Sequence, residues 1–323
     1  MAAMDPDKVR AMLPKLEAMF EAEYWPELNA AGKKFFSRYH LDYREKVSGL
    51  KQGLQRFPWK HGELAVYHWL LPNARGTVFI VHGYFDHSGL YGSAVRFWLS
   101  QGYSVVAFDL PGHGLSSGNR ACIENFDYYS EAFAYLVKNL SGLPKPFVAM
   151  GQSTGGSVIM NAMLDKKFEM PQRFFVIKFL LAPLVRSRGW ALMKWAHLFL
   201  SPFVKSIPRK FVDNCDNQNF LAFLRKDPLQ ARRISTVWVG AMKAWIKKCR
   251  RMKPGDHKFY ILQGDNDVTV DSAYNAKEIM RICPRSRLHV IEGMNHHIVN
   301  ESPEYRKQVF AYLKECLPMR QEF

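Results

Sequence analysis

Residues 146–165 read "PFVAMGQSTGGSVIMNAMLD". The run "PFVAM" is apolar throughout, as in a strand covered on both faces, and the residues after "GQSTGG" (151–156) carry a helical pattern. A G-x-S-x-G turn between a strand and a helix makes a nucleophile elbow, with the serine on a sharp, strained turn. Ser153 is then the tip residue, its hydroxyl projecting above the sheet edge. Gly151 and Gly155 are required because side chains there would collide with the neighbouring strand and helix. The helix N-terminus beneath the serine favours developing negative charge. G-x-S-x-G alone recurs by chance; the strand before it and the helix after it give it weight.

On either side of this turn, short apolar runs alternate with helical stretches. Strands are expected at 63–71, 76–83, 103–110, 146–153, 174–184, 258–265 and 287–293. Helices are expected at 94–102, 128–140, 155–165, 272–282 and 303–317. Such alternation predicts an α/β fold with a parallel, doubly wound sheet.

A serine hydroxyl is a poor nucleophile until a base takes its proton. In elbow folds the chain order is Ser, then Asp or Glu, then His. "YILQGDNDVTV" puts Asp265 and Asp267 just after a strand, and "VIEGMNHHIVNE" puts His296 and His297 after the last one. Asp267 stands further into its loop, where it can reach a histidine; Asp265 suits a turn former. His296 is favoured over His297. An oxyanion hole is also needed. The Thr154 N–H is one candidate donor. The N–H of Tyr84, in "HGYFDHSGLY" (82–91), is the other. The imidazoles of His82 and His87 suit bracing this loop better than catalysis.

Composition narrows the class. The 323 residues are 48% hydrophobic and 14% aromatic, enough for a large core and against disorder. The longest apolar stretch, "FFVIKFLLAPLV" (174–185), is interrupted by Lys178 and Pro183 and fits a buried strand better than a membrane span. The N-terminus carries charges where a signal peptide needs an apolar core. Five cysteines without C-x-x-C argue against a disulfide framework or zinc site. The expectation is a reduced, cytoplasmic setting, either free or peripheral on a membrane.

Two regions stand outside the alternation. Residues 1–60 read as a helical extension. Asp5–Pro6 is a cap and first-turn pair, and Val9, Met12, Leu13, Leu16, Met19 and Phe20 share one helical face, although Pro14 should kink or split that helix. That face either packs on the core or serves a membrane surface or a dimer. Residues 185–253 form a helical insertion with 16 Lys+Arg against 3 Asp+Glu, a net +13 of the chain's +16. Its stretch "GWALMKWAHLFLSPFV" (189–204) interleaves Trp190, Leu192, Trp195, Leu198, Phe199 and Phe203. These residues suit packing onto the core, an acyl pocket or a membrane-facing surface. The charge suits anionic lipid headgroups; nucleic acid is the rival polyanion, but no recognition motif accompanies the charge.

"HGYFDHSGLY", "FDLPGHGLSSGNR" (108–120), "GQSTGG", "GDNDVTV" and "GMNHHIVNE" appear in order. Together they resemble the monoacylglycerol lipase and lysophospholipase branch of the α/β-hydrolases, from about residue 60 to the C-terminus apart from the insertion. The resemblance implies Ser153 as nucleophile, Asp267 as acid and His296 as base, the last on a G-x-x-H-x-x-x-x-E pattern at Gly293, His296 and Glu301. It implies Tyr84 and Thr154 as oxyanion donors, no cofactor or metal, and a single-chain lipid substrate. It also implies that 185–253 is a cap, so that 61–184 and 254–323 are the two parts of one core. Gln152 stands where the family often has histidine, Thr154 where methionine is frequent, and 1–60 has no counterpart. These departures bear on substrate preference. A short-chain esterase, a peptidase or amidase with the same triad, and a non-catalytic binding protein are the alternatives.

Overall fold

The computed structural model describes residues 4–16, 25–140 and 142–318. The chain opens with Pro6–Met12 (α1), whose N-cap Asp5 accepts from the Asp7 and Lys8 N–H groups, with Pro6 in the first turn. The helix stops before Pro14, because a residue preceding proline is pushed out of the helical region. Residues 14–16 instead run extended beside a strand: Leu16 N–H donates to Arg56 O, and Arg56 N–H to Pro14 O. The continuous helical face expected through Phe20 is therefore broken. Leu13 and Leu16 are buried but Met12 is exposed; Met19 and Phe20 lie outside the described residues. Ala30–Arg38 (α2) buries Phe35 and Phe36, and Phe36 stacks on Trp69.

Reading 1–60 as wholly helical needs a second correction. Lys51–Trp59 (β1) is a strand, paired antiparallel with Gly62–Leu70 (β2). Pro58 and two glutamines hid it. An edge strand tolerates a proline, and β1 lies at the sheet edge.

Thr77–Val81 (β3), Gly92–Ser100 (α3), Ser104–Phe108 (β4), Asp127–Asn139 (α4), Phe147–Gln152 (β5), Thr154–Leu164 (α5) and Phe175–Leu181 (β6) continue the alternation. The insertion holds Trp190–Leu200 (α6), Ser206–Pro208 (β7), Gln218–Lys226 (α7), Arg233–Ser235 (β8) and Thr236–Arg251 (α8), with β7 and β8 paired as a separate ribbon. Tyr260–Gly264 (β9), Ser272–Ile282 (α9), Arg287–Ile291 (β10) and Pro303–Glu315 (α10) complete the core. The eight-stranded sheet runs β1-β2-β4-β3-β5-β6-β9-β10, parallel except at the β1–β2 and β2–β4 pairs. All seven expected strands are present.

Alternation along the strands divides the interior into two layers. Val78, Ile80, Val105, Ala107, Val148 and Met150 face the layer that holds Trp98 of α3 and Phe35 of α2. Phe79, Val81, Val106, Phe108 and Ala149 face the layer of Phe133 from α4 and Ile159 from α5. Strands β3, β4 and β5 are buried on both faces, which is why they read as unbroken apolar runs. Their C-terminal ends carry the loops described next.

Candidate active site

Ser153 links β5 to α5 with φ 53° and ψ −114°, outside the regions ordinarily open to a residue with a Cβ. The turn is held from the β6 side: Ser153 N–H donates to Leu181 O at 2.7 Å, and Leu184 N–H donates to Ser153 O at 3.2 Å. A Cβ on Gly155 would sit 2.0 Å from Val81 O, and one on Gly151 would sit 2.4 Å from the Gly155 carbonyl carbon. Both glycines are thus required by close backbone approach, as the sequence suggested. The Thr154 N–H belongs to the first helical turn, whose amides have no intrahelical acceptor.

The loop after β9 and the loop after β10 meet beside this serine. His296 Nδ1 and Asp267 Oδ2 are 2.7 Å apart. Asp267 Oδ2 also accepts from Gln263 Nε2 at 3.0 Å, while Oδ1 accepts from the Thr269 and Val270 N–H groups. Burial alone would raise the Asp267 pKa. The His296 ring, with the Val270 and Gln263 donors, outweighs burial and holds the carboxyl below its ordinary range. With its Nδ1 turned to Asp267, His296 lines the same cavity as Ser153. Gln152 donates its amide to His296 O at 2.8 Å, a role the sequence left unread. Asp265 is a turn residue: its Oδ1 accepts from Gly293 N–H at 2.6 Å. Glu301, buried, accepts from the Asn295 and Asp216 N–H groups and so joins the histidine loop to the insertion.

His297 faces away from Asp267. Its Nε2 lies 3.1 Å from Asp86 Oδ2, and its Nδ1 lies 3.3 Å from the Asn300 amide. Asp86 also accepts from Tyr91 OH at 2.9 Å, and Tyr91 OH accepts from Gly83 N–H. Sequence reading missed Asp86 because its partner is 211 residues distant. The one available signal was the second histidine of "NHH".

The Gly83–Tyr84 turn lies against the serine: a Cβ on Gly83 would be 3.4 Å from Ser153 Cβ. His82 braces this turn, with Nδ1 2.8 Å from Gly83 O and Nε2 accepting from Leu110 N–H at 2.8 Å. Burial holds its pKa down. His87 braces it too, through Asp227 of the insertion at 2.7 Å; Asp227 also accepts from Tyr39 OH at 2.7 Å. Three separate parts of the chain meet at that buried carboxylate. The insertion touches the neighbouring loop residues as well. Trp238 stacks on Tyr84 at 3.7 Å, and the Arg209 guanidinium lies 3.9 Å from the Phe85 ring centroid.

Between insertion and core is a cavity of about 280 Å³ lined by Ser153, His296, Tyr84, Arg209 and Trp238 among others. Its apolar wall on the insertion side comes from Met193, Val212, Leu224, Ile234 and Trp238. The aromatic stretch behaves differently from an acyl pocket. Trp190 is buried in the core cluster, while Leu192, Trp195, Leu198, Phe199 and Phe203 are exposed. None of these six lines the cavity. No group of His, Cys, Asp and Glu able to hold a metal occurs among the described residues.

These features define a serine hydrolase of the α/β-hydrolase fold, and the family assignment agrees. Residues 72–303 match the Hydrolase_4 family, described as serine aminopeptidase S33, and the chain belongs to that family. It is 24% identical over 259 residues to phospholipase YtpA of Bacillus subtilis, covering 76% of this chain and 96% of the relative. It is 27% identical over 260 residues to human monoglyceride lipase, covering 76% and 83%. A solved soluble variant of Saccharomyces cerevisiae monoglyceride lipase, in complex with a substrate analogue, shares the fold. It superposes with a TM-score of 0.70 at 20% identity, over 85% of this chain and 98% of the other. The chain is accordingly an enzyme of the monoglyceride lipase branch.

Proposed function

We propose that this enzyme hydrolyses the carboxylic ester of a single-chain lipid, a lysophospholipid or a monoacylglycerol, through an acyl-enzyme. The observation that carries the reading is the His296–Asp267 pair at 2.7 Å, opening with the strained Ser153 onto one partly apolar cavity. His296 Nε2 takes the Ser153 proton as Oγ attacks the acyl carbonyl. Asp267 keeps the proton on Nδ1 and stabilises the imidazolium. The Tyr84 and Thr154 N–H groups receive the oxyanion. His296 then protonates the departing alcohol and activates the water that frees the acid.

Residues 185–253 serve as the cap, closing the cavity over the serine. The similarity to a phospholipase and to monoglyceride lipases supports a lipid ester over an amide. The exposed apolar face of α6 and the turn after it support work at a lipid surface: Leu192 on the helix is 78% exposed and Phe203 just beyond it 85%. No helix among the described residues is long and apolar enough to cross a membrane.

The test is product analysis with lysophosphatidylcholine, monoacylglycerol, p-nitrophenyl butyrate and an aminoacyl p-nitroanilide, beside labelling by a fluorophosphonate. Release of fatty acid from a long-chain lipid, with Ser153 as the labelled residue, is expected. Cleavage of the anilide alone would overturn the lipid reading.

A further inference from the structure

A second cleft, of about 660 Å³, lies between α6 and α8, apart from Ser153. Its walls carry Lys194 from α6 and Lys243, Lys247, Arg250 and Arg251 from α8. On α8 these stand at i, i+4, i+7 and i+8, one stripe of the helix, opposite the buried Trp238, Trp245 and Cys249. The one acidic residue lining the cleft is Asp271, and it is ion-paired to Arg186. Among the described residues, Lys194, Lys243, Lys247 and Arg251 form no ion pair. Like charges one helical turn apart oppose folding unless a counter-charge is bound. Lys248, their sequence neighbour, is the opposite case: it bridges Asp127 and Asp165 of the core at 2.8 Å each. The charge run in "IKKCRR" therefore splits into one structural cation and an uncompensated stripe.

The cleft adjoins apolar surface. Trp195 lines it and stacks on Phe199; both are exposed on α6 with Leu198, and Phe203 is exposed in the turn just beyond it. A cationic slot beside exposed aromatic and aliphatic side chains matches a headgroup phosphate and the acyl boundary below it. A water-borne anion has no use for that ridge. On the same helix Met193 lines the catalytic cavity, so α6 is a wall common to both.

We infer that the α6–α8 cleft is a binding site for the phosphate headgroup of an anionic membrane lipid that is not the substrate. The bound headgroup holds the α6 ridge on the bilayer beside the cavity. This does not depend on the ester-hydrolase reading, because it is tested by binding alone.

Co-sedimentation of the full chain is measured with vesicles of phosphatidylcholine and of phosphatidylcholine mixed with phosphatidylglycerol. Three proteins are compared: wild type, K243Q/K247Q/R250Q/R251Q, and a control that removes equal charge from exposed core positions, K166Q/K277Q/K307Q/K314Q. Wild type and control should prefer the anionic vesicles at least tenfold on the order expected of several headgroup contacts, and the cleft variant should lose that preference. A thermal melt checks folding; if the fourfold variant melts early, K247Q/R251Q replaces it. Equal loss in cleft and control variants would reduce the effect to diffuse charge and overturn the site. So would an unchanged cleft variant, or tighter binding to a single-stranded oligonucleotide than to vesicles at the same salt.

Discussion

The loops around Ser153 and the outer face of the insertion treat charge in opposite ways. At the loops every carboxylate has partners: Asp267 with His296, Asp86 with His297, Asp227 with His87 and Tyr39. On α6 and α8 cations line a cleft without carboxylates of their own, and large apolar side chains stand in solvent. The first region is built to hold proton-bearing groups in one geometry, since a buried charge is tolerated only when paired and hydrogen-bonded. The second leaves its interactions to something outside the chain. Geometry is internal in one region and external in the other.

The sharpest way to break this contrast is at the serine. Ser153→Ala should lower kcat by roughly 10⁴-fold or more on p-nitrophenyl butyrate with little change in melting temperature, and His296→Ala should match it. His297→Ala should be much milder, because His297 is turned to Asp86 rather than Asp267. Reversed ranking in steady-state kinetics would move the base to His297.

Asp267→Asn should cost on the order of 10⁴-fold in kcat by permitting the wrong histidine tautomer. Asp265→Asn, which loses one turn contact, should retain most activity. The same assay would exchange the two carboxylates if Asp265 were the damaging site.

Asp227→Asn tests whether the loops are held internally, and its readout is stability. Removing one member of a buried pair costs about 3 kcal/mol. Burial pushes the Asp227 pKa up, but His87, Tyr39 and the Leu229 N–H outweigh it and depress it. A depressed carboxyl stabilises the fold above its unfolded value, about 3.9, and loses that contribution as pH falls through the lower folded value. Burial lowers the His87 pKa, but Asp227 outweighs it and raises it, a contribution lost as pH rises through the raised value. The wild type's lead over the variant in urea melts should therefore grow as pH falls from neutral to about 6, hold to about 5, and shrink below about 4. A lead that stays unchanged as pH falls from about 5 to about 3 would refute the pairing.

The smallest effect separates neighbours on α8. Lys248→Gln, which loses both core carboxylates, should destabilise by about 1 kcal/mol, a figure kept low because the pair is partly solvent-screened. Lys247→Gln should fall within about 0.5 kcal/mol of wild type. Equal denaturation midpoints would erase the distinction between the structural cation and the cleft.

Much of this was legible in the chain, for identifiable reasons. Strands β3, β4 and β5 were readable because burial on both faces leaves unbroken apolar runs, while β10, largely exposed, was placed by its position in the strand–helix alternation. The elbow was readable because Gly151 and Gly155 are demanded by local backbone approach. Strand β1 was not, since an edge strand with one partner tolerates Gln52, Gln55 and Pro58 and so carries no apolar signature. The face from Val9 to Phe20 followed helical spacing, but a backbone turned extended at Pro14 no longer keeps that spacing.

By itself the sequence determined where the strand-to-helix turn falls, which serine stands on it, and which carboxylate and histidine follow in order. These are properties of short segments, written in residue types and spacing. Tertiary structure alone decided which histidine meets which carboxylate. The partners of His87, His297 and Lys248 lie 140, 211 and 121 residues away, and adjacent residues such as His296 and His297 point to different acids. It also decided that the aromatic stretch of α6 faces solvent rather than the cavity. Composition records that side chains are apolar, but only packing records which surface was left for them to cover.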